Sequence, residues 1–497
     1  MRKNILVYVL LVLLILVGAW FRIPGILEEA FSFTYDVGRD LLAVESMVRG
    51  YKISLLGPTT GLEGLFYGPW WYYFLAIPFI LTNGDPKGIA LFIALVGVAN
   101  IILAFIIGRK IGGTFLAIVC ASLISVSPFF INTSSQIWSP NIIPTLVLLV
   151  IFFFFKIVRY PVASMLIWLI LGLLLTLIIE MEIVFGLLFI VAAVISLVAF
   201  LRKKITLRRI AFFLAGILII EMPRILFEAR HEFLMTKRVL AVLGEIFKPH
   251  SSSLLTKENF IEMQSAFSKI WSDAVAGDDQ FLRILLLAFF AYVFVIYYRR
   301  SSPFEKFFFR FITLTIAIFV SAFIFFQGGL WGHYLVGLPV LFVFFAGMSL
   351  NLLRGHFAIP KLALALLFAI VWLNLNPIRL FIRLQEQPWR GDEAVYRNQI
   401  EIIDYIYREA NGEKFKYVLY TPPVHDYTYR YLFSWYGKKR YNKVPSEQDA
   451  KFSFFIIEPD NIFWHRPNEW LESRKSDGKV VKEKRFGWVV VQTRVPN

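Results

Sequence analysis

A ladder of long apolar runs, broken by short clusters of lysine and arginine, leaves this chain few ways to fold. A bilayer span takes about 20 apolar residues, with a range near 17–25, and short basic loops mark the cytoplasmic side. With 58% hydrophobic side chains and 51 Phe in 497 residues, the sequence exceeds the roughly 45–50% apolar content usual for soluble domains. A polytopic helical membrane protein is the expectation. The formal net charge of +16 falls in clusters between the runs, so it reads as topology and excludes a nucleic-acid-binding face. The lone Cys120 lies inside an apolar run, which leaves no disulfide framework or thiolate metal site to propose.

Arg2 and Lys3 precede the first run, near 5–22, which reads as an anchor with its N-terminus inside, not as a cleaved leader. Further spans are expected near 88–107, 114–129, 142–155, 163–179, 183–201 and 210–222. Another ends at Arg299-Arg300, one lies near 307–326, one returns to Arg354, and the last lies near 362–376. The aromatic run from Trp70 to Leu81 is only about 12 residues long, too short to cross fully. Counting it as a span would also put every later basic cluster outside, against the positive-inside bias. The sum is about eleven transmembrane helices. Residues 1–380 then form one membrane domain, with a first outer loop at 23–87 and a long one at 223–282.

Composition changes at about 385, and 385–497 read as a small extracytoplasmic α/β domain. Its strand-like runs are Phe415 to Tyr420, Phe452 to Ile457 and Trp488 to Gln492. Asp392 to Ala410 and His425 to Tyr436 read as amphipathic helices. Tyr427, Tyr429, Tyr431, Trp435 and Trp464 could present a sugar-binding surface, but core packing accounts for most of them.

Ionisable groups near a bilayer are costly, so those that remain are candidates for function. At the outer ends of the runs stand Asp36, Arg39 and Asp40; Glu180 and Glu182; Glu221, Arg224, Glu228, Arg230 and His231; and His333. A helix from Val37 onward would place Asp36 and Asp40 on one face, roughly 5–6 Å apart. Plainer readings stand beside the functional ones: Asp36 as a helix cap, Arg39 and Asp40 as a structural ion pair, and Arg230 and His231 as headgroup contacts. Glu180 and Glu182 are expected to mark a span end facing water, and His333 fits a turn beside Gly328, Gly329 and Gly332. Carboxylates mixed with cations suit glycosyl transfer from a phosphate leaving group. That reaction needs a base for the acceptor proton and positive charge for the departing phosphate.

The stretches Tyr35-Asp36-Val37-Gly38-Arg39-Asp40 and Gly64-Leu65-Phe66-Tyr67-Gly68-Pro69 after an apolar span resemble the first outer loop of the GT-C superfamily of membrane glycosyltransferases. More narrowly the chain is similar to the bacterial branch related to protein O-mannosyltransferases and the lipid A aminoarabinose transferase. Gln136 to Asn141, Pro223 to His231 and Gly332-His333-Tyr334 fit that resemblance. It implies an inverting glycosyltransferase of the bacterial plasma (inner) membrane, moving a sugar from a polyprenyl-phosphate donor to a protein, lipid or glycan acceptor. Asp36 matches the family's catalytic base, with Arg39, Asp40 and Tyr67 supporting it or orienting the acceptor. Arg224, Arg230, His231, His333 and Tyr334 are the candidates for the donor phosphate. No cofactor is expected, and a divalent metal held by these carboxylates is the less favoured reading. Two departures stand out: Val37 replaces the second acid of the family's Asp-Glu pair, and Tyr67-Gly68-Pro69 occupies the place where relatives carry a lysine. A transporter or flippase of lipid-linked sugars is the alternative, although its expected internal symmetry is not evident.

Overall fold

Within a bilayer every backbone N–H and C=O must find its partner inside the protein, so the apolar runs have little choice but to coil into helices. A computed structural model describes residues 2–61, 63–160, 164–246, 257–324, 329–356, 360–375, 392–422 and 425–496. The helices that frame the membrane domain are α1 (Arg2–Trp20), α2 (Tyr35–Arg49), α3 (Trp70–Thr82), α4 (Pro86–Val126), α5 (Ile143–Arg159), α6 (Met165–Met181), α7 (Ile183–Leu201), α8 (Leu207–Arg230), α9 (Gln280–Tyr297), α10 (Pro303–Ile324), α11 (Leu338–His356) and α12 (Pro360–Leu375).

Among the described residues, eight helical stretches are long and apolar enough to cross a membrane, while α3, α6 and α12 are shorter. The 41-residue α4 is two crossings in one: Gly112 and Gly113 leave helical geometry, with Gly113 at φ +81°, a conformation glycine adopts without steric cost. The turn carries the chain back so that Ala117 packs beside Gly108. Counting α4 twice and adding α6 and α12 gives the expected eleven, with α3 left as the short aromatic segment outside the count.

Arg22 ties the start of this bundle together. It is 1% exposed and donates to the carbonyls of Gly18 (2.8 Å), Ser125 (3.0 Å) and Ile124 (2.8 Å) and to Ser134 Oγ (2.9 Å). One guanidinium therefore satisfies carbonyls near the ends of α1 and α4 that lack intrahelical partners.

One boundary differs from expectation. The span expected at 210–222 is the 24-residue α8, which runs through Pro223 to Arg230, so the long outer loop does not begin at 223. Arg224 pairs with Glu221 one turn earlier (3.3 Å). Glu228 accepts from the backbone N–H groups of Met235 (2.9 Å) and Thr236 (2.8 Å). The charges that suggested a loop are thus paired along a helix and at the start of the next. Helices Leu234–Ile246 and Lys257–Trp271 fill much of the remaining stretch.

The C-terminal domain holds α13 (Tyr396–Ala410), β1 (Phe415–Tyr420), α14 (Tyr427–Leu432), β2 (Phe452–Ile457), α15 (Arg466–Ser473), β3 (Lys479–Phe486) and β4 (Val489–Val495). The sheet order is β1-β2-β4-β3, with β1 parallel to β2 and the other pairs antiparallel. Phe415 pairs with Phe452, and Phe455 with Gln492. Sequence reading missed β3, whose residues face solvent up to Phe486; a charged edge strand carries no alternating apolar signal and resists pairing with other chains. Tyr429, Tyr431 and Trp435 are core residues as expected, whereas Trp464 is 78% exposed and does not belong to the core. The proposed boundary between 380 and 385 lies outside the described residues.

This domain grips the two helices that follow α1. Ser32 and Val395 form an antiparallel bridge; Phe33 N–H donates to the Ala394 carbonyl (2.7 Å), Tyr396 N–H to Phe31 (3.0 Å), and Gln399 Nε2 to Phe33 (3.0 Å). Phe31 stacks on Tyr396 with centroids 4.9 Å apart. Trp435 donates to the Asn83 carbonyl (2.8 Å) and Tyr431 to that of Gly84, both just past the end of α3. Finally, α14 lies directly on Gly38 of α2: a Cβ there would sit 2.6 Å from the Tyr427 carbonyl and the Thr428 nitrogen.

Candidate active site

The first turns of α2 place Asp36, Arg39 and Asp40 together. Thr34 is extended and Tyr35 begins the helix, so Asp36 lies in the first turn, where helix N-termini favour negative charge. Arg39 binds both acids: its Nη1 stands 2.8 Å from Asp36 Oδ1, and its Nε and Nη2 lie 2.9 and 2.8 Å from Asp40 Oδ1. The second oxygen of Asp40 accepts from the Trp71 indole at 2.8 Å, and Trp71 is fully buried.

The two aspartates therefore differ in kind. Asp40 is 3% exposed and both its oxygens are engaged, whereas the Asp36 side chain keeps 30% exposure. Among the described residues the only ion pair of Asp36 is with Arg39. Burial raises the Asp36 carboxyl above its ordinary value, and Arg39 opposes that rise. Burial likewise pushes Asp40 up to about 6, against the opposing pull of Arg39 and Trp71. Asp40 serves as an internal strut, whereas Asp36 stays partly open.

A second cluster gathers at the adjoining ends of α6, α7 and α8. Glu180 and Glu182 are 1% and 3% exposed, which corrects the expectation that they mark a span end facing water. Arg224 pairs with Glu180 and, at 3.3 Å, with Glu221. Glu182 caps α7 by accepting from Val184 N–H (3.3 Å) and takes the Tyr67 hydroxyl at 3.2 Å. His333 Nε2 is 3.8 Å from the same carboxylate. The His333 ring meets Trp138 edge-on at 5.0 Å and Tyr334 at 4.6 Å. Buried charges persist only where they are paired or hydrogen-bonded, which is why these acids share Arg224, Tyr67 and His333.

Residues 67–71 join the clusters. Tyr67 reaches Glu182, Gly68 lies against the Glu180 carboxylate, Trp70 donates to the Ile220 carbonyl on α8 (2.8 Å), and Trp71 holds Asp40. Five consecutive residues thus connect α2 to α6, α7 and α8.

Of the expected phosphate ligands, Arg224 stands on Glu180, and His333 with Tyr334 lies by Glu182, two residues along the chain. Arg230 and His231 stand apart: both are exposed at the end of α8, about 9 Å along the axis from Arg224 by helical rise. His231 stacks on Phe227 at 4.0 Å, with its Nδ1 2.8 Å from that residue's carbonyl oxygen. Tyr67, expected beside Asp36, belongs to the glutamate cluster. Sequence reading passed over Trp71 and undervalued Glu180 and Glu182; their signal was two acids at the end of an apolar run of otherwise uncharged residues.

Among the described residues, no three His, Cys, Asp or Glu side chains are grouped to hold a metal ion. Asp36 and Asp40 share Arg39, and Glu180 and Glu221 share Arg224.

No protein-family model matches the chain, and no curated protein matches it. Solved structures do. ArnT from Cupriavidus metallidurans bound to undecaprenyl phosphate aligns with a TM-score of 0.59 at 13% identity, over 99% of this chain and 98% of that one. Its apo state gives 0.60 at 13% identity, over 100% and 99%. The oligosaccharyltransferase AglB from Archaeoglobus fulgidus, in complex with an inhibitory peptide and a dolichol-phosphate, gives 0.52 at 13% identity, over 91% of this chain and 69% of that one. Both neighbours are GT-C membrane glycosyltransferases, and the chain has the GT-C fold.

Proposed function

We propose that this protein is an inverting glycosyltransferase that takes a sugar from a polyprenyl phosphate and delivers it to a hydroxyl acceptor at the outer face of a bacterial plasma membrane. Asp36 removes the proton from the acceptor hydroxyl as that oxygen attacks the anomeric carbon. The bond from that carbon to the phosphate oxygen breaks, the configuration inverts, and polyprenyl phosphate leaves with the bonding electrons. A base must stand within hydrogen-bond reach of its proton, and the observation that carries the reading is the division of labour on α2. One aspartate is locked by Arg39 and Trp71, and the other is open in the first turn.

In this reading Arg224 is the cation that meets the departing phosphate, with Tyr67, His333 and Tyr334 gathered at the nearby Glu182. It is held by Glu180 and Glu221, so an arriving phosphate competes with carboxylates for the guanidinium. That competition keeps the site from trapping product. Arg39, with two carboxylates of its own, positions Asp36. The undecaprenyl phosphate of the ArnT complex and the dolichol-phosphate of the AglB complex support a lipid-phosphate donor here. In this reading no metal is required, because guanidinium groups supply the positive charge.

The basic clusters Arg109-Lys110, Arg202-Lys203-Lys204 and Arg299-Arg300 favour a cytoplasmic placement for the bundle end away from the C-terminal domain. The N-terminus is then inside, and the C-terminal domain and Asp36 are outside. Incubating the reconstituted protein with a labelled polyprenyl-phosphate sugar and acceptor extract tests the function. Covalent transfer of label supports it; label that crosses the membrane while still on its lipid identifies a transporter instead.

A further inference from the structure

Arg310 lies two turns into α10, within a stretch long and apolar enough to cross the membrane. It is exposed on the outside of the bundle. Its guanidinium lies over the rings of Phe200 (5.3 Å) and Tyr298 (5.5 Å) and donates to the Tyr298 hydroxyl. No ion pair among the described residues includes it. The acid five residues before it, Glu305, is engaged with the Ser302 N–H at 2.7 Å. A membrane-embedded cation ordinarily faces a polar cavity or a counter-charge, and here the protein supplies only aromatic rings and one hydroxyl.

Arg310 also opens onto a groove of about 570 Å³ running between α7, α9 and α10, lined by Phe200, Val295, Tyr298, Phe309, Thr313 and Leu314. The groove extends from Arg310 toward Ala317, away from the Arg299-Arg300 turn and deeper along the span. Its walls are almost wholly apolar, and its single charge stands at the end nearest that turn. This is the polarity of one lipid: an anionic headgroup at the guanidinium and a hydrocarbon chain along the helices. We propose that the groove binds an anionic phospholipid, its phosphodiester paired with Arg310 and one acyl chain lying past Thr313. Charge complementarity selects this occupant over a neutral lipid, since only an anionic lipid brings net negative charge to a basic pocket between membrane helices. The site lies at the bundle end opposite Asp36 and does not depend on the proposed transfer reaction.

The test uses full-length protein, delipidated in a non-ionic detergent. Lipid retention by native mass spectrometry and the thermal unfolding midpoint are measured with phosphatidylglycerol, phosphatidylcholine or inorganic phosphate. Phosphatidylglycerol should be retained and should raise the midpoint, phosphatidylcholine should do so less, and inorganic phosphate should not. Arg310→Gln should weaken phosphatidylglycerol retention about fivefold, the loss expected for one basic residue at an anionic headgroup. Thr313→Trp leaves the cation but blocks the chain's path, and should lose the lipid too; it decides the matter if Arg310→Gln does not fold. Equal effects of the two lipids, retention unchanged in the variants, or an inorganic phosphate response matching that of phosphatidylglycerol would each overturn the proposal.

Discussion

Gly38→Ala tests whether the C-terminal domain holds α2, which carries the proposed base, in place. The position lies two residues beyond Asp36 and one before Arg39, on the face of α2 covered by α14. An added Cβ would stand 2.6 Å from three backbone atoms of Tyr427 and Thr428. Ordinary contact begins near 3.4 Å, so the two helices must separate by about 0.8 Å, and backbone cannot swing aside as a side-chain tip does. Overpacking of this kind costs about 1–3 kcal/mol, offset by about 1 kcal/mol of improved helix propensity. The net loss of stability is therefore small, between roughly 0 and 2 kcal/mol. Activity should suffer far more, because a 1 Å misplacement of catalytic groups can cost about 100-fold. The assay pairs thermal unfolding with initial transfer rates, using Gly61→Ala as control, since a Cβ at Gly61 meets nothing within 4 Å. A Gly38→Ala protein with the stability and rate of the parent would refute the argument that α14 fixes α2.

Other outcomes follow from the site. Trp71→Phe removes the indole donor from buried Asp40, and a lost hydrogen bond to a charged group costs about 1.5–3 kcal/mol, measurable by chemical or thermal unfolding. Arg224→Gln should weaken donor binding more than the chemical step, while Glu180→Gln, by releasing Arg224, should tighten it; donor binding titrations separate the two. The proposed transfer uses the Asp36 carboxylate, whose pKa is raised by burial and held down by Arg39. The rate should fall as pH drops through a value above the ordinary 3.8, and Arg39→Gln should move that acid limb to higher pH. For stability the sign is set by Asp40, whose folded value of about 6 exceeds its ordinary 3.8. Its contribution is full below 3.8 and is lost as pH rises through about 6, so wild type should gain stability over Asp40→Asn between pH 8 and pH 5 in paired unfolding scans.

The spans were legible because a bilayer imposes length and apolarity on each one, and the basic turns fix their order. Where charges pair along a helix the same logic failed: Arg224 and Glu228 read as loop residues although they continue α8. The strands β1 and β2 could be read to the residue, as both are rich in aromatic and β-branched residues. β3 could not, because an exposed charged edge resembles a loop. In the site, Asp36, Arg39 and Asp40 share one helical turn, so local spacing was enough to group them. Glu182 meets Tyr67 across 115 positions and Trp71 meets Asp40 across 31, contacts that only the folded chain brings together. Which aspartate is open and which is buried likewise depends on Trp71, and no local pattern around α2 carries that information.

The central claim is that Asp36 is the base. Asp36→Asn keeps the size and much of the hydrogen bonding of the side chain but cannot take a proton. In the reconstituted system with a polyprenyl-phosphate sugar, this variant should bind donor as the parent does and transfer no sugar. Transfer near the parent rate by Asp36→Asn would contradict the account.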